Sequence, residues 1–200
     1  MAKIFELDFR KGTLIDNVSK NQSTFTKGNG NFKKTEKGYS IYFDGLTTKI
    51  DSNITLSDVK TIVLFIKPTD NTTLLLDNGS DKLEITGNNY SGTGLTENYV
   101  NNVNSDVAIF NQFQMVESQF SSGINFLTDL EILCDNKTFI SRVICFDHLL
   151  STVERNNLYN EFLNIYLIIE QKTHFIYPVP ADYHPQLRDT FKDSPVGSIL

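Results

Sequence analysis

Hydrophobic and polar positions alternate with a period of two through most of the chain. The clearest case is residues 38–68, GYSIYFDGLTTKIDSNITLSDVKTIVLFIKP, where Tyr39, Ile41 and Phe43 take turns with Ser40, Tyr42 and Asp44. That alternation predicts a strand buried on one side. Asp44-Gly45 predicts a turn, because glycine accepts positive φ and aspartate bonds its own backbone. A short return strand over 47–50 follows. Residues 61–66, TIVLFI, then form a compact apolar run stopped by Lys67-Pro68. A run so rich in β-branched and aromatic residues predicts a strand covered on both faces.

The same reading extends along the chain. Residues 3–9 alternate Ile4, Glu6 and Asp8 with Phe5, Leu7 and Phe9, which predicts a strand starting almost at residue 1, so that no anchoring domain is expected ahead of it. Short extended pieces are predicted over 14–18, 24–26 and 32–35. A hairpin joins 73–76 to 82–86 across Asp77-Asn78-Gly79-Ser80-Asp81. Residues 88–94 read as a Gly/Ser/Asn loop, residues 99–100, 107–110 and 113–117 as strands, and residues 121–125 as a turn. A last pair spans 129–134 and 138–146. Strands at this spacing with polar turns predict an all-β, two-sheet antiparallel sandwich rather than alternating β–α units.

After residue 150 the period changes. Ser151-Thr152-Val153-Glu154 is a capping box, in which the hydroxyl accepts from a free backbone N–H while the glutamate reaches back. Leu158, Phe162 and Ile165 share one face, so a helix is expected over about 152–166, covering an edge or an end of the sandwich. Residues 1–170 are thus expected to form one domain. Residues 171–200 carry Pro178, Pro180, Pro185 and Pro195 with no clear period, which predicts an extended arm.

Two hundred residues can bury a substantial core. Charged residues make up only 21%, and the hydrophilicity comes from Asn, Thr and Ser, which suit strands and loops better than helices. The net charge of −6 and a pI near 5.0 argue against a nucleic-acid partner. Lys33, Lys34 and Lys37 form the only local basic cluster and read as a solvated turn. No apolar stretch approaches membrane-spanning length, so no membrane partner is expected. Cys134 and Cys145 fall on neighbouring predicted strands; without a secretory signal, two free buried thiols are expected over a disulfide.

Several motifs together resemble the laminin-G-like, concanavalin A-like jelly roll. They are Gly38, Phe43-Asp44-Gly45, Lys49-Ile50 and Phe65-Ile66-Lys67-Pro68. A second set comprises Leu150-Ser151, Glu154 and Leu158-Tyr159, where the last strand runs into a helix. Phe65 stands where many relatives carry Trp, and this chain has no Trp. Such sandwiches resemble those of tailed-phage particles. The resemblance therefore implies a non-catalytic structural or decoration component of a virion, made in the host cytoplasm and held by other virion proteins or by copies of itself.

The carboxylates of Asp129-Leu130-Glu131 should point to opposite faces of a strand, unlike the converging pair a retaining glycosidase needs. No enzyme is therefore expected. His148 lies beside Asp147 without a Ser or Cys motif, and His174 and His184 fall in the arm. Asp77, Asn78 and Asp81 match no calcium loop and read as Asx turns, so neither metal nor cofactor is expected. The alternative function is a carbohydrate-binding adhesion module, with Tyr90 and Tyr99 as candidate sugar contacts and a surface glycan as partner; a hydrolase comes third. For the assembly reading, Phe175, Tyr177, Tyr183 and Phe191 in the arm are the candidate partner contacts.

Overall fold

The computed structural model describes residues 2–27, 31–45, 48–77, 81–126, 130–133 and 136–173. In chain order the first strands are β1 (Lys3–Asp8), β2 (Thr24–Lys27), β3 (Asn31–Thr35), β4 (Gly38–Asp44) and β5 (Lys49–Asp51). β6 (Leu56–Pro68), β7 (Thr72–Asp77), β8 (Lys82–Thr86), β9 (Asn89–Gly92) and β10 (Glu97–Val100) follow. β11 (Val103–Asn104), β12 (Gln114–Phe126), β13 (Glu131–Leu133) and β14 (Lys137–Phe146) lead into one helix, α1 (Thr152–Thr173).

The strands form two antiparallel sheets, a jelly-roll sandwich. The larger sheet has the order β11-β10-β12-β6-β14-β4-β3, with β1 also on β14; the smaller has the order β2-β5-β13-β7-β8-β9. One edge of β14 pairs with β6 along nearly its whole length. The other edge is shared. Residues from Lys137 to Ile140 pair with β4, and those from Arg142 to Phe146 pair with β1.

Ile41, Phe43, Ile62, Leu64 and Val143 of the large sheet meet Ile50, Leu76 and Ile132 of the small one in the space between the sheets, all fully buried. Val63, Phe65, Met115, Ile144 and Phe146 point the other way. They form a second cluster with Leu150 and with Phe162 of α1. The apolar run in β6 is thus covered on both faces, as its sequence predicts. Phe162 meets Phe65 edge to face, at 5.1 Å between ring centroids and 66° between planes.

Ion pairs tie the helix down on both flanks. Arg155 Nε lies 2.7 Å from the fully buried Glu117, whose other oxygen accepts from Gln119 at 2.6 Å. On the opposite flank Glu161 lies 3.2 Å from Arg10 and 2.8 Å from Arg142. Arg10 in turn pairs with Asp8, and Arg142 with Glu6. Burial raises the Glu161 carboxyl, but the two guanidinium groups outweigh it and hold the group below its usual range.

The structure departs from the sequence reading in five places. Residues 121–125 lie inside β12, where the register against β6 jumps between Gln119 and Ile124. Gly123 has φ of +71°, and a Cβ there would fall 2.3 Å from Asp58 Oδ1, so the turn chemistry marks a bulge. Residues 89–92 form β9 because Gly87-Asn88, both at positive φ, make a two-residue hairpin turn from β8. Residues 107–110 make no strand; the Gln114 amide takes both backbone bonds of Ile109, at 3.1 and 2.9 Å. Residues 14–18 make only isolated bridges. The helix runs on to Thr173, into the expected arm, since no Gly or Pro interrupts it, and it covers a sheet face rather than an edge.

The capping box forms as expected. Ser151 N donates to Glu154 Oε2 at 2.9 Å, and Glu154 N donates to Ser151 Oγ at 3.3 Å. His148 joins it, with Nδ1 2.8 Å from Asp147 Oδ1 and Nε2 3.0 Å from Glu154 Oε1. The Ser151 hydroxyl and N–H, aided by His148, hold Glu154 down to about 2. Burial pulls the imidazole down, yet the two carboxylates prevail and raise its pKa above the usual value.

Two outcomes test this account. Leu64→Ala should cost about 2–5 kcal/mol in denaturant melts, since Leu64 is fully buried between the sheets; a loss under about 0.5 kcal/mol would place β6 on the surface. By NMR, His148 should titrate above the free value of about 6.5. A group with a raised folded pKa stabilises the fold below its unfolded pKa and loses that contribution as pH rises through the folded one. The stability margin over His148→Gln should therefore be full below about pH 6.5 and shrink above it. A margin that grows with pH would contradict the geometry.

Candidate functional site

α1 covers only part of the outer face of the large sheet. Beside it lies a groove of about 640 Å³. Its walls come from Glu36 and Lys37 in the β3–β4 turn, Asn101 in the β10–β11 turn, Asn111, Gln112 and Phe113 ahead of β12, and Tyr159, Phe162 and Leu163 of α1. Local backbone chemistry places the amides. Asn101 and Asn102 both adopt positive φ, the requirement of a tight two-residue hairpin turn and one that asparagine tolerates. Asn101 Oδ1 accepts from Met115 N at 3.0 Å, which fixes that side chain against β12. Asn111 is likewise at positive φ and donates its N–H to Pro68 O at 2.8 Å.

The groove combines ring faces with amides. Tyr159 stacks on Phe162 at 6.2 Å and 19°. Phe113 is half-buried, with Lys67 Nζ 5.9 Å from its ring centroid. The side-chain amides of Asn111 and Gln112 are exposed and make no hydrogen bond among the described residues. Lys37 is buried against α1. Its Nζ donates to Phe162 O at 2.8 Å and lies 4.0 Å from the Phe162 ring centroid. Burial lowers this amine to about 8, against the pull of Glu36. Apolar faces, two exposed amides, a carboxylate and an ammonium on one wall suit a ligand with both CH faces and many hydroxyls.

The corner of the same outer face beyond β14 holds a second, shallower depression of about 520 Å³. Tyr42 of β4 lies directly opposite Phe139 of β14, and their rings meet at 4.8 Å and 40°. Lys33, Lys34 and Lys137 rim the pair. Of the lysines that read as a solvated turn, Lys33 and Lys34 are exposed, whereas Lys37 is buried with its ammonium on the Phe162 carbonyl. The sheet gathers the exposed two with a third lysine around two aromatic rings. No sequence-local signal joins these residues, because they come from three strands.

The sequence candidates fall elsewhere. Tyr90 is 2% exposed and packs between the sheets, so its ring offers no face to a ligand. Tyr99 carries the Arg155 guanidinium 3.3 Å from its ring centroid and donates its hydroxyl to Glu97 at 2.7 Å. Neither joins the groove. Phe175, Tyr177, Tyr183 and Phe191, with His174 and His184, lie outside the described residues, as do Asp129, Asn78 and Cys134. Glu131 pairs with Lys49, and Asp81 accepts from Asn125 N at 3.3 Å. Cys145 is a free, buried thiol whose pKa burial pushes up. His148 has both ring nitrogens on carboxylates, and the Ser151 hydroxyl bonds Glu154 at 2.7 Å, so the trio is a helix cap and not a nucleophile–base pair.

No known family pattern matches the sequence, and no curated protein matches it. Solved structures do share the fold. The crystal structure of the botulinum neurotoxin serotype D binding domain superposes at a TM-score of 0.56 with 14% identity, covering 80% of this chain and 52% of that one. The binding domain of botulinum neurotoxin DC in complex with rat synaptotagmin II gives 0.56 with 15% identity, over 80% and 52% of the two chains. The same domain in complex with SialylT gives 0.55 with 16% identity, over 80% and 51%. This chain spans about half the length of those domains. At such identities the likeness is one of fold: a β-sandwich of the kind found in these binding domains.

Proposed function

We propose that this chain is a non-catalytic carbohydrate-binding module that takes a glycan in the groove beside α1. The observation that carries the proposal is the convergence of Phe113 and Tyr159 with the exposed amides of Asn111 and Gln112 and with Glu36. Sugars are recognised by such pairings, a ring face against the CH side of the pyranose and amide or carboxylate groups against its hydroxyls. The fold likeness to domains solved with SialylT and with synaptotagmin II supports a binding role. The expectation of a phage virion component draws on the sequence resemblance alone, and no described residue favours it over ligand binding.

Full-length protein should bind a subset of neutral glycans on an array. Phe113→Ala should weaken that binding by about tenfold or more, because it removes a stacking face. Since the ring also packs on the outer-face cluster, the melting temperature should fall somewhat, whereas Gln112→Ala, at an exposed position, should weaken binding at unchanged melting temperature. Array-wide silence, or binding that Phe113→Ala and Gln112→Ala leave untouched, would overturn the proposal.

A further inference from the structure

We propose that the depression at the β3–β4–β14 corner is a separate site for an acidic sugar unit, one that carries a carboxylate on its ring. It is distinct from the groove beside α1 in residues and in charge. Its floor is the opposed pair Tyr42 and Phe139, both half-buried on the outer face. Its rim is Lys33, Lys34 and Lys137, all exposed.

Sheet register builds the arrangement. Tyr42 faces Phe139 across the β4–β14 ladder, and Phe139 faces Lys67 across β14–β6. Lys33 pairs with Ser40, two residues before Tyr42, and Lys137 lies two residues before Phe139; a period of two therefore puts Lys33 and Lys137 on the ring-bearing face. Lys34, paired with Tyr39, belongs by parity to the other face and lines the depression from the edge strand. Lys67 is already engaged, 3.5 Å from Glu36. The ammonium groups of Lys33, Lys34 and Lys137 have no carboxylate partner among the described residues. Asp44, opposite Lys137 in the ladder, accepts from Thr48 N at 3.2 Å.

Three unpaired cations around two rings are an unusual holding in a chain of net charge −6. They supply charge for one compact anion, and the rings supply a face for the sugar that carries it. A long polyanion fits less well. It would extend beyond the lysine rim over an acidic protein, and two rings offer only a short stacking platform. The charge complementarity therefore selects an acidic sugar over single-stranded nucleic acid.

The test uses the full chain with sialylated and uronate-containing oligosaccharides, each set against its carboxyl-reduced counterpart, by titration calorimetry. The acidic form of at least one should bind, and reduction of its carboxylate should abolish binding. The exposed double variant Lys33→Ala/Lys137→Ala should weaken binding about ten- to a hundredfold at unchanged melting temperature. Raising salt from about 0.05 to 0.5 M should weaken it too. Phe113→Ala should leave this binding intact while weakening capture of neutral glycans, which separates failure of this site from failure of the groove. The proposal is overturned if neither acidic ligand binds, if the reduced sugars bind equally, or if the double variant binds unchanged. It is also overturned if a short single-stranded oligonucleotide binds as well with the same lysine dependence.

Discussion

A strand made apolar on both sides must be covered twice, and that requirement in β6 governs the rest of the molecule. The small sheet covers Ile62, Leu64 and Ile66; α1 through Phe162, with Leu150 just ahead of it, covers Val63 and Phe65. Burying side chains of this size is worth roughly 1.5–3 kcal/mol each, so the helix is a third layer of the sandwich and not an appendage. Its width is also decisive. One helix is about 10 Å across and cannot roof an eight-stranded sheet. Both proposed sites lie where the helix leaves this face open, the groove along its flank and the lysine-rimmed depression toward β4 and β3.

The buried ion pairs beneath α1 add direction more than stability. Glu117 is fully buried against Arg155, and Arg142 lies between Glu6 and Glu161. Desolvating such pairs offsets much of their attraction, but a helix rotated or shifted along its axis would leave these charges buried and unpaired. A register penalty of that kind fixes where Tyr159 and Phe162 fall, and hence the shape of the groove wall. Hydrophobic contact alone would tolerate sliding; charge pairing does not.

Much of the fold was legible because local pattern and tertiary burial agree. The strand at 38–44, the double-faced run at 61–66 and the capping box at Ser151 each appear in the structure as predicted, although burial alternates only from Ile41 to Asp44, since Tyr39 is exposed and Ser40 is buried. Misreadings arose where turn-forming residues serve a strand. Gly123 permits a bulge inside β12, and Gly87-Asn88 turns so tightly that the next strand begins at Asn89. The sites were far less legible. Tyr90 has the right chemistry for sugar binding, but its parity sends it into the core. Tyr42 and Phe139 lie almost a hundred residues apart and become neighbours only through a ladder that no local window reveals. Composition located the lysines; only the register gave them company.

The shared edge of β14 has a consequence for how the chain folds. β1 pairs with no other strand in the sheets, and its contacts with β14 span long loops, as in Glu6 to Arg142, 136 residues apart. Closing so long a loop is slow, and until it closes Phe5 and Leu7 have no completed core to enter. During synthesis β1 therefore waits for almost the whole sandwich to emerge. The strand made first is thus the last to lock: the central hairpins can form early, and β1 joins only once β14 is in place.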